Sequence, residues 1–516
     1  MAEQPTASDG DETQSWLQRQ WQRVRALWAR DIVIGQVGEG ATNVVIGKNN
    51  IQINVAGRNL TLPIYLIGAT LVLVLGLLLY PLVEPLWNPT QMTGPFRIAV
   101  ADFGEINEGG NVRATARGAE MSKWFFDNLF GEYQSSDTDV ARTIELWHDL
   151  RPDIQKNVRF GIMRGDTAEA RRAAAAKLAA RVGAHMIIYG NLLTAGETPQ
   201  LALEFYLSPL VNDETAAIVG PHRLGRPIEL PTAFGTGSPD ANTAVASLLK
   251  VRTDAFFWLT IGLTQDILGR SAEALATLRM AESTLTAWSD ADGKELLYFF
   301  IGRQELFLGN AAAAEENFRH ALAINATYAR AQVALGSAQL RQARAVAPAA
   351  RLQAPSLLWT ALDSHLKGLS LAATAQEPLV IDLANLALAK TYRLLGETYY
   401  QLHEDTQARQ FFALTRQKVA QIVEPLKAAN QFRLLAQAYE AEGAAALQDG
   451  VLLLETNQVA EAKQLLLQAK NAYQHCIDQG RQTVDQVVTT QVIGEGCQKF
   501  YGVTEQYLAE VEKEQS

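Results

Sequence analysis

The chain has 516 residues, enough for about three domains of ordinary size, and 48% of them are apolar, so each folded region can bury a core. A formal net charge of −10 with no run of Lys or Arg argues against nucleic acid as a partner, because phosphate binding needs concentrated cations. The two cysteines, Cys476 and Cys497, are too few for a disulfide-built scaffold or a Cys/His metal cluster.

Residues 1–14 are polar and acidic with no apolar period, and read as a disordered tail. Residues 15–60 form an expected cytoplasmic segment in two parts. In Ser15–Arg30, Leu17, Trp21, Val24 and Trp28 fall on one helical stripe with Arg19, Arg23 and Arg30 opposite. That stripe suits either membrane lipid headgroups or a surface of the same chain or a twin subunit, and homo-oligomerisation stays open. Next, Ile32–Ile34, Val44–Ile46 and Ile51–Val55 alternate with Gly/Asn turns, a pattern of short strands. Gly40–Asn49 has the outline of a phosphate-binding loop but fails it: Thr42 stands where glycine is needed, and Asn49 where a hydroxyl should follow the lysine.

Asn59–Val83 carries no charge and is dense in Leu, Ile and Val from Leu62 onward. A helix needs ~20 apolar residues to cross a bilayer, so residues 62–83 read as one transmembrane helix, a signal-anchor, with Tyr65, Tyr80 and Trp87 at its interfaces. Arg19, Arg23, Arg25, Arg30, Lys48 and Arg58 precede it, and only Arg97 follows closely. Positive charge stays inside, so the expected topology is a single-pass cell-membrane protein with a cytoplasmic N-terminus and exoplasmic C-terminal domains.

Residues 95–232 read as a small α/β domain. Phe96–Phe103 suits a buried central strand, a helix follows near Ala114–Tyr133, and Thr143–Trp147 and His185–Tyr189 suit further strands. Asp166-Thr-Ala-Glu169 has the spacing of a capping box opening an Ala-rich helix that Gly183 ends. Leu201, Leu203, Phe205 and Leu207 alternate with Ala202, Glu204 and Tyr206, the period of a half-buried strand. The order Phe-Arg-Ile-Ala-Val-Ala-Asp-Phe, helix, strand, Ala-rich helix, Gly-Ala-His-Met-Ile-Ile-Tyr-Gly, strand resembles the TolB-type N-terminal domain. That family's pattern has Asp where this chain has His185. The resemblance implies a binding or assembly role of the kind found in bacterial envelope proteins.

A Pro/Gly/Ser-rich linker, residues 233–249, precedes residues 250–510. There Trp258, Gly262, Gly269, Ala274, Leu278 and Ala281 recur as Tyr298, Gly302, Gly309, Ala314, Phe318 and Ala321. Gly336 opens a third copy 34 residues after Gly302, with Gln342–Pro355 as an insertion. Tyr392, Gly396, Ala408 and Phe412 make a fourth, and Gly450, Ala462, Leu466 and Ala469 a looser fifth. The region resembles tetratricopeptide repeats, which implies helix pairs stacked into a solenoid with a concave face for partner proteins. The small residues are expected at close helix crossings, and five stacked pairs would fold without the rest of the chain. In an oxidising exoplasmic compartment, Cys476 and Cys497 on adjacent terminal helices are expected to form a bridge.

The seven histidines are scattered, and no catalytic, cofactor-binding or metal-ligating set emerges. Asp102, at a strand end, is the best-placed carboxylate, and capping the following loop explains it more simply than a ligand does. The fold class is therefore a multi-domain membrane protein with one transmembrane helix, a TolB-like α/β domain, an all-α repeat solenoid and a short β-rich cytoplasmic segment. The function is a non-enzymatic, membrane-anchored scaffold or adaptor. The alternative is an envelope sensor whose α/β or repeat domain binds a ligand and signals across the membrane.

Overall fold

The structure is a computed structural model that describes residues 32–34, 41–46, 50–55, 58–63, 91–107, 110–149, 159–194, 198–209, 218–223, 225–231, 239–285, 294–345, 354–482 and 488–515. The chain forms two compact units, Met1–Pro89 and Thr90–Ser516.

In the first unit, β1 (Ile32–Ile34), β2 (Ala41–Ile46), β3 (Asn50–Val55) and β4 (Arg58–Pro63) make an antiparallel meander in chain order. Most of the segment that resembled a phosphate loop is thus strand β2, paired on both sides. Strand β4 also takes the first residues of the expected membrane span, since Leu62 pairs with Ile51 and Pro63 with Asn50.

The reading as a single-pass membrane protein, with its signal-anchor and its cytoplasmic and exoplasmic sides, is corrected here. Among the described residues no helix is long and apolar enough to cross a membrane. The longest, Pro239–Ile267, shows why: Lys250, Arg252, Asp254 and Asp266 leave too short an apolar run between them for a ~20-residue span. Residues 64–83 and Ser15–Arg30 lie outside the described residues, and neither lipid contact nor self-association by the N-terminal segment finds support. The sensor alternative, which needed a crossing, goes with it.

The second unit opens with a mixed sheet. Parallel pairs join β5 (Phe96–Val100) to β8 (Ile144–His148) and β9 (Met186–Leu193), and β6 (Gly104–Ile106) to β9. Antiparallel pairs join β6 to β7 (Val112–Ala114), β9 to β10 (Gln200–Leu207), and β10 to β11 (Gly220–Arg223) and β12 (Ile228–Glu229). Helix α1 (Ala116–Ser135) starts at Thr115, whose hydroxyl accepts from Gly118 N–H at 3.1 Å. Helix α2 (Ala168–Val182) starts at Thr167, one residue later than the expected cap, and ends at Gly183 with φ +70°.

Alternation along the strands divides the core. Phe96, Ile98 and Val100 pack with α1, whereas Ala99 and Ala101 pack with Leu178 and Ala179 of α2. Strand β10 is buried on both faces rather than one. Tyr206 faces the α2 side, and Leu201, Leu203, Phe205 and Leu207 face the first helices of the repeats.

Helices α3 (Pro239–Ile267) and α4 (Ser271–Leu285) begin the solenoid, so residues 239–249 of the expected linker are helix. The pairs α5 (Lys294–Phe307) with α6 (Ala311–Ile324), and α7 (Ala329–Ala345) with α8 (Ala354–Thr374), follow. Then come α9 (Pro378–Gln401) with α10 (Asp405–Ala428), and α11 (Phe432–Glu455) with α12 (Val459–Gly480). A π-helix, Val488–Gln498, and α13 (Lys499–Gln515) pack against α12 at the end.

The repeat pattern has two physical origins. Gly262, Gly302, Gly396 and Gly450 each meet a large side chain sixteen residues on: Leu278, Phe318, Phe412 and Leu466. A Cβ at Gly302 would sit 2.7 Å from the Phe318 ring, so only glycine lets the ring lie against the helix. In the third pair, with its long connection, His365 packs against Gly336 instead. The glycines seven residues further on were expected at crossings too, but they are turn residues: Gly269 and Gly309 have φ +72° and +87°. At the matching places stand His403 and Asn457, both at φ +61°. All four turns close alike, the next residue's N–H reaching back five residues, as Arg270 to Gln265 and Glu404 to Tyr399.

The solenoid and the sheet share a core. Phe256 of α3 lies edge-on to Phe125 of α1 at 5.6 Å and to Phe205 of β10 at 5.3 Å. Around it, Lys250 pairs with Glu132 at 3.3 Å, Arg270 with Asp139 at 3.2 Å, and Tyr133 with Thr260 through their hydroxyls.

Candidate functional site

The first helices of four successive pairs, α5, α7, α9 and α11, line a groove of about 330 Å³. Its place on each helix follows from the helical period: on α7, Arg330, Val333, Ser337, Leu340 and Arg344 recur every three or four residues on one face. The floor is mainly aliphatic, supplied by Leu306, Val333, Leu340, Leu383, Leu386 and Leu434, with Phe299 and Phe307 of α5 and Phe318 of α6 beside them. Around it stand Arg303, Arg330, Arg341, Arg344, Lys390 and Arg433, and among the described residues no Asp or Glu lines the groove.

At one end the cations are anchored from behind. Arg303 pairs with Asp266 at 3.4 Å and lies over the Phe307 ring at 4.4 Å. Arg330 reaches Glu377 at 3.1 Å and donates to the Val219 carbonyl at 2.8 Å, tying the groove wall to the α/β domain. Arg341 donates to the Leu306 carbonyl at 2.9 Å. At the other end, Lys390 donates to the neutral Gln437 side chain at 2.7 Å. Burial holds the Lys390 amine down at about 8, opposed by Glu440 and reinforced by Arg344, Arg433 and Arg393. Burial also pulls the Arg344 and Arg341 guanidinium groups below their usual value.

Asp102 does something different. It lies just past β5, and its carboxylate accepts from Ser122 at 3.3 Å and lies 3.7 Å from His148 Nε2. Ser122 is also 3.2 Å from the same His148 nitrogen. Burial and the neighbouring Asp149 raise the Asp102 carboxyl, and burial lowers His148. Asp102 and Ser122 therefore approach the same ring nitrogen of a fully buried histidine. The other histidines stay apart, and among the described residues no three metal-ligating groups converge. His185, where the TolB-type pattern has Asp, approaches Arg97 at 2.5 Å, and burial followed by the Arg97 charge holds it down to about 4. His222 sits under the domain junction with its ring on Phe205, and burial puts it at about 3. His365 is packed inside the third pair, and His320 is exposed against Tyr298. Of the groove residues only Phe318 was singled out from sequence, as a repeat position and not as a binding residue, although arginines recurring on the inner stripe of first helices in an acidic chain were a usable signal.

The fold defines a class, a helical-repeat solenoid of tetratricopeptide type that shares its core with an α/β domain. No family model matches the chain, and no curated protein matches it in sequence. The TolB-type resemblance therefore stands on its residues alone. Among solved structures the chain is similar to the one titled "Crystal Structure of the Apo Form of RapI", at 16% identity and a TM-score of 0.29, over 52% of this chain and 69% of that one. So distant a likeness carries no argument, and the solenoid is established by the helix pairs and turns described above.

Proposed function

We propose that this protein is an adaptor that holds a segment of a partner protein in the groove of its helical repeats. The observation behind this is the groove itself: one concave surface assembled from the first helices of four stacked pairs, with an aliphatic floor and a polar rim. A solenoid positions such a surface rigidly, because each pair is fixed by its neighbours. The same reading treats the protein as a binder and not a catalyst.

A photo-crosslinking residue at Ser337, inside the groove, tests the proposal against one at exposed Glu424 on α10. Partner protein should be trapped from position 337 and not from 424. Equal trapping from both, or none from 337, would count against a groove-bound partner.

A further inference from the structure

Resting on that reading, we propose that the groove's occupant is an acidic peptide: a partner segment whose Asp or Glu carboxylates alternate with aliphatic side chains. Charge is the first reason. The chain has 55 acidic residues against 45 Lys and Arg, yet the groove gathers six cations and no acid. Such a bias raises the local concentration of an anionic ligand and selects against cationic ones.

The second reason is how the cations are distributed between the two ends of the groove. Arg303 and Arg330 have Asp266 and Glu377 behind them. At the other end Lys390 of α9 feels the charges of Arg344 from α7, Arg433 from α11 and Arg393, the last of which is itself paired with Glu397. Glu440 of α11 and Glu397 of α9 are the acids felt there, and Lys390 is depressed despite Glu440. A carboxylate between Arg344 and Lys390 would neutralise that field by charge-assisted hydrogen bonds.

Size and lining decide the kind of anion. About 330 Å³ holds a few side chains, not a nucleic-acid strand, and the aliphatic floor would bury the peptide's apolar side chains. A strand-binding groove needs open aromatic faces for stacking. Here Phe299 and Phe318 are buried, and Phe307 already carries the Arg303 guanidinium.

The charge state of Lys390 adds a signature. In the free protein its amine titrates at about 8. A bound carboxylate raises that value, so binding is constant between the peptide's carboxylate range, about 4, and pH 8, and weakens as pH rises above 8, when the free protein must take up a proton to bind.

Panning a random 12-residue phage-displayed library on the immobilised full chain tests this, with selected peptides resynthesised for fluorescence anisotropy. The selected peptides should be enriched in Asp and Glu. They should lose about tenfold or more in affinity with Arg344→Glu or Arg341→Glu. Their affinity should fall above pH 8 with the wild type and not with Lys390→Met. Peptides blocked by a groove-filling Ala334→Trp change, but with no acidic excess and no response to Arg344→Glu, overturn the acidic inference and leave the adaptor reading standing. Displacement by a single-stranded oligonucleotide or inorganic phosphate more readily than by a glutamate-rich peptide also overturns it. Peptides that ignore Ala334→Trp, or no selection at all, sink the groove as a protein-binding site.

Discussion

The two ends of the solenoid solve the same stacking problem with different means. In the first pairs, α4, α5 and α6 are 14–15 residues long, glycine makes the turns, and the apolar surface continues into the α/β sheet. In the later pairs, α9, α10 and α11 each run 24 residues, and His403 and Asn457 make the turns. There the core is the solenoid's own, closed by the Cys476–Cys497 disulfide between α12 and the π-helix. The N-terminal repeats borrow their stability from another domain, while the C-terminal ones carry it in longer helices and a covalent tie. Repeat arrays need such capping because an outermost pair has one unpartnered face.

The sharpest break between the two ends should come from removing the sheet. A fragment beginning at Lys250 bares Phe256, Phe257 and Leu259, which are buried in the shared core. Hydrogen exchange should show the first two pairs opened and α9–α12 still protected. Uniform protection along the fragment would mean that the sheet is a passenger, and that five pairs do fold without it.

The complementary test removes the tie at the other end. Cys476→Ser with Cys497→Ser frees a loop of sequence separation 21, which constrains the unfolded chain by ~3 kcal/mol. Denaturant unfolding should show that loss confined to α11–α13, with the shared core unchanged.

Packing at the helix crossings should sharpen the comparison further. A Cβ at Gly302 would lie 2.7 Å from the rigid Phe318 ring, but one at Gly450 would lie 3.2 Å from the end of Leu466. Gly302→Ala should therefore cost about 1–3 kcal/mol. Gly450→Ala should be close to neutral, because a small shift of Leu466 is offset by the ~1 kcal/mol helical advantage of Ala over Gly. Equal losses in urea melts would refute the difference between an aromatic and an aliphatic crossing.

Much of this was legible in the sequence, and what was not has identifiable causes. Gly302 with Ala314, Phe318 and Ala321 announced a helix pair because close packing leaves a local, repeated residue choice. Strand β10 misled because a period of two says which residues alternate, not what covers each face. Glu204 read as solvent-facing, yet it is nearly buried and held by Arg223 at 3.3 Å. The uncharged run after Asn59 read as the start of a membrane span, since strand and span share apolar composition, and β4 claimed its first residues. The groove was invisible for another reason. Its cations come from four helices between Arg303 and Arg433, three of them from α7, and only stacking gathers them.

The smallest expected effect concerns the turns. His403 is exposed and holds φ +61°, a conformation that costs a residue with a Cβ about 1 kcal/mol and glycine nothing. At the same place in the first pairs the chain uses Gly269 and Gly309. Both kinds of turn close with the same backbone hydrogen bonds, so the His403 side chain is not what makes the turn. His403→Gly should stabilise the fourth pair by ~0.5 kcal/mol, the strain relief less glycine's greater freedom in the unfolded chain. Gly309→Ala imposes the strain instead and should cost ~1 kcal/mol. Thermal melts of the two variants should move in opposite directions. If His403→Gly also lowers the melting temperature, the imidazole is holding something at that turn, and the two ends of the solenoid differ there in more than their choice of turn residue.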